Sequence, residues 1–350
     1  MRKSKDSDRI RKSERLYSNL LDKDGVAFWK GWNAINCCGS SVASRINGET
    51  DDARIADSFA EYFRTVYGNN DTPQHRALAE KFDSLYAEYF YLHIHDSLTP
   101  HYLSWSDMVD IATKIKIGKA VSGAIRPEHF LYGSPELLTH FHILFNGMIQ
   151  HSFVPTDFLM GSISPIVKDT QEDVSVSSNY RGITLSALPA KLFEYAIQKK
   201  TSHLLGSDEL QFGFEPKTSV AHALFTLKTT VDHFTKRGSK VFVAFSDCTK
   251  AFDRISHYGL FSKLIERKLP LCFLMCLIFW YLNMSSFVKW GRDKRQPFPV
   301  PLGIKQGGIN LPDFFAVYFD KITEILRQKG IGCHIHKLFL AIILFADDIC

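Results

Sequence analysis

The stretch LFLAIILFADD, residues 338–348, constrains this chain most. An unbroken apolar run leads straight into two adjacent aspartates, Asp347 and Asp348. The run is far too short to cross a bilayer. Bounded as it is by polar residues, it reads as a buried strand that delivers carboxylates at its end. A second strand pattern, KVFVAFSD at 240–247, alternates Val241, Val243 and Phe245 against its other face and ends on Asp247. If these strands are neighbours in one sheet, three carboxylates meet. Crowded carboxylates repel one another and are costly to desolvate, so such a site calls for divalent cations. Mg²⁺ suits hard oxygen ligands, water and substrate phosphates. Two such ions about 4 Å apart activate an attacking hydroxyl and stabilise a leaving pyrophosphate. The chemistry suggested is nucleotidyl transfer. An Asp-Asp pair alone, common in turns, would not carry that conclusion.

Charge distribution points the same way, more weakly. The net charge of +5 is mild, but residues 51–100 hold 4 Lys/Arg against 9 Asp/Glu, whereas residues 251–300 hold 8 against 3. A basic surplus late in the chain and in its first fifty residues fits a polyanion groove, but on charge alone a solvated helix face is the better reading. Seven cysteines without framework spacing, including Cys37-Cys38 and Cys272/Cys276, read as a reduced intracellular protein of nucleus or cytoplasm. No apolar signal segment opens the chain. The longest apolar helix candidate, LCFLMCLIFWYL at 271–282, is short for a membrane span and reads as a buried helix.

Helical spacing recurs at 55–67, 137–150, 189–199 and 219–234, with Ser219 placed to cap the last. Further helices are expected at about 255–268 and 312–328, and further strands in SSFVKW (285–290) and LAIILF. Residues 69–105 show little periodicity and read as a connector. A boundary near 105 therefore separates an N-terminal extension, residues 1–105, from an α+β body, residues 106–350.

Three further blocks turn a weak motif into a specific one. NYRGITLSALPAKLFE (179–194) is followed by QFGFEPKTS (211–219), and PLGIKQGG (301–308) precedes a helix. With the two aspartate blocks, their order resembles reverse transcriptases of non-long-terminal-repeat, LINE-type retrotransposons. The likeness covers roughly 107–350 and is densest from about 150. FWKGWNAIN and IADSFAEYFRTVY resemble, less specifically, the segment preceding the polymerase in such elements.

The resemblance implies an α+β right-hand fold of fingers and an incomplete palm, a mainly helical N-terminal extension and no thumb. It implies RNA-directed DNA polymerase activity with two Mg²⁺ ions, or Mn²⁺ in their place, on an RNA template, a DNA primer and dNTPs. It implies neither a membrane nor a stable protein partner. Asp247 and Asp347 match the family's principal metal ligands and Asp348 its third carboxylate. Phe252 matches the aromatic under the sugar that favours deoxynucleotides; an Asp there, with Gly-Asp-Asp at the end, would instead suggest a viral RNA polymerase. Lys168 and Arg181 resemble finger residues that hold the incoming triphosphate, and Arg suits bidentate phosphate contact. Gln306, Gly307 and Gly308 match the loop beside the nascent base pair. Each also has a plainer reading: Phe252 as core, Arg181 as a surface pair, Lys250 and Asp253 as local partners. Asp253 and His257 are read as structural. HIH (93–95) and CHIH (333–336) complete no four-ligand spacing.

The chain departs from the family in two blocks. QGGINLP stands where a form like QGGVLSP is usual, which costs an N-cap serine worth about 1 kcal/mol. GKAVSGAIRPEHF lacks the Asp of GPDGI. Both suggest a drifting copy. The sequence stops two residues after Asp348, so the expectation is that the return strand of the aspartate hairpin lies outside it and that these 350 residues alone do not polymerise. The alternative to an enzyme is a non-enzymatic remnant with weak RNA binding.

Overall fold

The computed structural model describes residues 13–14, 16–28, 31, 43, 45–68, 72–95 and 102–350. The basic N-terminal run, most of FWKGWNAIN and the Cys37-Cys38 pair lie outside the described residues.

Nine main helices and ten strands organise the described chain. Helix α1 (Asp52–Tyr67) buries Ile55, Phe59, Phe63 and Val66, one stripe at helical spacing, and Asp51 caps it by accepting from Arg54 N at 3.2 Å. Helix α2 (Pro73–His93) fills the segment read as a connector. Its start signal is present: Thr72 accepts from His75 N at 3.2 Å, with Pro73 in the first turn. Its apolar stripe is thin, since only Phe82 and Tyr89 are buried, which is why periodicity misses it. Those two anchor it. Phe82 packs 5.5 Å from Phe261, and the Tyr89 hydroxyl donates to Leu269 O at 2.8 Å. Helices α3 (Trp105–Thr113) and α4 (Pro135–His151) follow.

Strands β1 (Met160–Val167) and β2 (Tyr180–Leu185) form an antiparallel hairpin, and β1 also pairs in parallel with β4 (Ser285–Trp290). Short strands β5 (Asp293–Lys294) and β6 (Phe298–Pro299) pair with β4 and complete this sheet. Serines and Pro165 interrupt the apolar alternation of β1, so the strand carries little sequence signal. Helices α5 (Leu188–Thr201), α6 (Val220–Thr235), α7 (His257–Glu266), α8 (Leu271–Leu282) and α9 (Leu311–Lys329) fall where periodicity puts them. Among the described residues no helix is long and apolar enough to cross a membrane. Ser219 occupies the N-cap of α6, but its hydroxyl meets the His222 imidazole at 3.2 Å. Asn310 occupies that of α9 and makes no capping bond.

A second, small sheet holds the aspartates: β3 (Ser246–Asp247), β10 (Asp348–Ile349) and β9 (Leu344–Phe345), in that order. Two expectations change here. The strand at 240–247 is laddered only at 246–247, because its partner β10 is two residues long. Phe242 and Phe245 are accordingly 92% and 74% exposed. The return strand expected to lie outside the chain is β10 itself, which pairs with β9 on one side and β3 on the other. The hairpin extends one further rung, with Ile343 N and Cys350 O at 2.7 Å and the reciprocal bond at 2.9 Å. A third pair, β7 (His334–Ile335) and β8 (Leu338–Phe339), takes up the CHIH stretch.

One core runs across residue 105. Phe59 of α1 lies 4.9 Å from Tyr180 and 5.0 Å from Trp290, and Asp57 forms a two-pronged pair with Arg295 beyond β5. Elsewhere in the same core, Phe145, Phe158, Phe193 and Trp280 pack as an aromatic cluster with neighbouring centroids 5.3–6.5 Å apart. Phe59→Ala should therefore destabilise the whole body by about 3–5 kcal/mol. Urea unfolding followed by tryptophan fluorescence measures it; a loss below about 1 kcal/mol would mean that α1 is an appendage rather than a core element.

Candidate active site

The site is built on the β9–β10 hairpin. Phe345 and Asp348 are ladder partners, so Ala346 and Asp347 form a two-residue turn. Ala346 holds φ at +55°, a left-handed conformation that usually goes to Gly or Asn at such a position. A side chain from far away holds it there. Oε1 of the buried Gln211 accepts from Ala346 N at 3.0 Å and from Gly213 N at 2.8 Å. Leu344 is bonded by its backbone to both Leu210 and Phe212, at 2.9 and 2.7 Å. Gly213 is required by closeness, since a Cβ there would stand 2.1 Å from Ala346 N. This gives the QFG block a role that the sequence did not reveal: it docks the aspartate turn.

Asp247 and Asp348 are direct partners in the β3–β10 ladder, and Asp347 lies in the adjoining turn. The carboxyl of Asp347 is held above the usual range, first by burial and then by the charges of Asp348 and Asp247, with Arg181 opposing. The Cys248 thiol is pushed up by burial and by all three carboxylates, so their field converges on one spot.

A cavity of about 380 Å³ opens beside the turn, lined by Asp247, Asp347, Lys168, Arg181, Phe252 and Gln306 among others. Asp348 and Gly307 do not line it. Lys168 follows β1 and Arg181 lies in β2, so one hairpin presents both cations. Lys168 Nζ donates to Ser178 O at 2.9 Å. Phe252 sits in a short 3-10 turn, its ring 4.5 Å from Phe315 and 6.2 Å from Phe214, so it is at once a wall of the cavity and part of the packing. Lys250 adopts φ +57° and places its ammonium 5.0 Å over the Tyr62 ring, which brings helix α1 to the cavity as well.

Gln306 is held at both ends. Its backbone carbonyl accepts from Thr184 N at 2.8 Å, and its Nε2 donates to Asp253 Oδ1 at 2.7 Å. Gly307 follows at φ +101°, where a Cβ would come within 3.1 Å of Thr184 O. Asp253 thus positions the glutamine loop and is not simply a local partner of Lys250. Its only sequence signal was its place in CTKAFD. His257 Nε2 donates to Gly303 O at 2.9 Å, and burial lowers its pKa to about 4, which keeps the imidazole neutral.

A second cavity of about 570 Å³ shares Ile183 with the first and reaches Gly307. Lys114, Lys116, Lys119 and Lys191 line it, with Lys114 Nζ 5.3 Å over the Tyr195 ring. Burial pulls Lys191 below the usual lysine range, and Lys119 adds to the effect. Four lysines therefore share one concave surface.

Among the described residues, no three His, Cys, Asp or Glu side chains gather tightly enough to hold a metal ion by themselves. Asp247 and Asp347 line the same cavity, and both are hard oxygen donors. That set fits Mg²⁺, which typically takes one or two carboxylates and completes its shell with water and substrate phosphates.

Comparisons with known proteins agree with this chemistry. The family described as "Reverse transcriptase (RNA-dependent DNA polymerase)" matches residues 167–350. The chain is 25% identical over 221 residues to the probable RNA-directed DNA polymerase from transposon X-element of Drosophila melanogaster, covering 61% of this chain and 23% of that protein. It is 22% identical over 360 residues to the RNA-directed DNA polymerase from mobile element jockey of Drosophila funebris, covering 97% of this chain and 37% of that protein. The type-2 retrotransposable element R2DM polyprotein of Drosophila melanogaster is 22% identical over 171 residues, covering 49% and 16%. The chain therefore spans well under half the length of these relatives.

The Asp253 carboxyl gives a pH prediction. Burial pushes it up to about 6 against the hydrogen bond from Gln306 and the charges of Lys250, Lys168 and Arg254. In the unfolded chain it titrates near 4. Between about pH 4 and 6 the native state binds the extra proton, so stability falls as pH rises through that window, by on the order of 2–3 kcal/mol in total. Asp253→Asn removes this dependence. Unfolding at pH 4.5 and pH 7 should show the variant gaining on the wild type at the higher pH; an equal difference at both would refute the assignment.

Proposed function

The chain belongs to the reverse transcriptase (RNA-dependent DNA polymerase) family, and we propose that the 380 Å³ cavity is where a deoxynucleoside triphosphate joins a DNA primer on an RNA template. What carries the reading is one juxtaposition: Asp247, Asp347, Lys168, Arg181 and Phe252, from four separate segments of chain, line a single cavity.

In this reading the β1–β2 hairpin and its helices act as fingers, and β3, β10 and β9 with the helices behind them as a palm. Arg181 and Lys168 hold the triphosphate, the guanidinium in fork geometry and the ammonium as a point charge. Asp247 and Asp347 would hold magnesium, with Asp348 adding negative potential from the next ladder position. Bound there, magnesium would supply the charge that lowers the cost of an alkoxide nucleophile and a departing pyrophosphate. The raised affinity of Asp347 for a proton comes first from burial and then from the crowding of these carboxylates, and a cation would relieve both. Gln211 and Gly213 keep the turn from drifting, and positioning at this scale governs rate. Phe252, fixed against Phe315, presents a ring edge to the sugar and leaves no room for a 2′-hydroxyl. Gln306, oriented by Asp253, lies beside the base. The lysine-lined cavity takes template phosphates, with Tyr195 available for stacking.

The test is primer extension by the purified chain on an RNA template with four dNTPs and Mg²⁺. The expected outcome is templated extension that Asp247→Asn and Asp347→Asn each reduce by about 10²–10³-fold or more. The expectation that these residues alone do not polymerise rested on an unpaired hairpin edge and on a missing thumb; β10 supplies the pairing, and the assay decides the rest. A wild-type chain that binds primer–template but never extends it would favour the RNA-binding remnant instead. In the same assay Phe252→Ala should raise ribonucleotide incorporation by at least about tenfold relative to deoxynucleotides, on the order of 1.4 kcal/mol of discrimination. An unchanged ratio would leave Phe252 with packing alone.

A further inference from the structure

Next to the glutamine loop lies a small cavity lined by Glu194, Leu277, Trp280, Tyr281, Lys305 and Asn310. Four of these bring polar groups whose hydrogen bonding is incomplete. Glu194 and Lys305 are each 6% exposed, yet they form no direct ion pair. Glu194 Oε2 accepts from Ile309 N at 2.8 Å. Lys305 Nζ reaches only Phe158 O, at 3.4 Å, and stands 4.7 Å over the Trp280 ring. Trp280 Nε1 and Asn310 Oδ1 are buried with no protein partner at all.

Buried polar groups of this kind are satisfied in folded proteins, and an ordered water is the usual agent where the protein is not. Four of the groups divide into two donors, the ammonium and the indole N–H, and two acceptors, the carboxylate and the amide oxygen, while the Tyr281 hydroxyl at the same cavity can serve as either. A cation would face the Lys305 charge and an anion the Glu194 charge. A neutral molecule with two donors and two acceptors matches all four. The space open to its centre is about 10 Å³, room for one water and nothing larger.

We propose that one ordered water occupies this cavity, accepting from Lys305 Nζ and Trp280 Nε1 and donating to Glu194 and Asn310 Oδ1. The water completes the link between two buried charges that do not touch. It also fixes the base of the loop, because Lys305 immediately precedes Gln306 and Asn310 opens helix α9. The inference is independent of the polymerase reading, since it rests on the packing of α5, α8 and the loop alone.

Two measurements test it on the full chain. Asn310→Leu keeps the volume and removes one acceptor. If the water is present, the variant melts a few degrees below the wild type, because a bound water loses a partner. If Asn310 Oδ1 is instead a true orphan, the same change raises the melting temperature. Thr323→Val is the comparator: its hydroxyl is also buried without a protein partner, lies outside this cavity, and should show that rise. The second measurement is a crystal structure of the wild type at a resolution that shows ordered water. A density peak within hydrogen-bond reach of all four groups is expected. A raised melting temperature in Asn310→Leu, or Lys305 Nζ resting directly on Glu194 with no peak between them, would overturn the proposal.

Discussion

The two-rung ladder between Asp348–Ile349 and Ser246–Asp247 is the contact on which the candidate site depends. It makes direct cross-strand partners of two aspartates that the chain separates widely, and it places the turn residue Asp347 beside them. Like charges facing each other across a ladder are destabilising. The fold tolerates them because the ladder is held from its other side: β9 closes the hairpin, and the 210–213 segment closes β9. Everything else at the site is arranged around that fixed negative centre. The β1–β2 hairpin brings Lys168 and Arg181 to it, the 3-10 turn brings Phe252, and Tyr62 arrives from a helix nearly two hundred residues earlier in the chain.

The helices were largely legible because their buried faces are wide. Ile55, Phe59, Phe63 and Val66 write a stripe that survives in any reading of α1, and Leu271–Leu282 is apolar almost all round. Helix α2 was missed because it commits only Phe82 and Tyr89 to the core, and the rest of its surface carries no period. The strands divide similarly. SSFVKW alternates and was read correctly, whereas β1 contains Pro165 and serines whose burial is dictated by neighbours on both sides. KVFVAFSD alternates well and yet forms only two ladder residues; pattern specifies a strand's faces but cannot supply its partner.

The candidate residues were legible as an ordered set of motifs, while the links among them were not. Asp247, Asp347, Lys168, Arg181, Phe252 and Gln306 were each named from sequence, and they line one cavity. Gly307 was named too and faces the lysine-lined cavity instead. What holds these residues in place was invisible: the amide of Gln211 on the aspartate turn, Asp253 on Gln306, and Glu194 on the backbone of Ile309. These are single polar side chains acting over long sequence distances. Nothing in composition or spacing distinguishes such a glutamine or aspartate from one that is merely solvated.

The Gln211 bond to Ala346 spans 135 residues. A turn with a left-handed alanine gains little from its own sequence, so it must wait for that distant amide to arrive. Closing so long a loop is entropically slow relative to forming a helix or a local hairpin. The centre of the site therefore belongs to the late stage of folding: a body with its helices and first sheet in place would still present its aspartates on an unorganised segment. Mutations that slow the docking of residues 210–213 would then lower the yield of natively folded molecules without altering the stability of those that reach the native state.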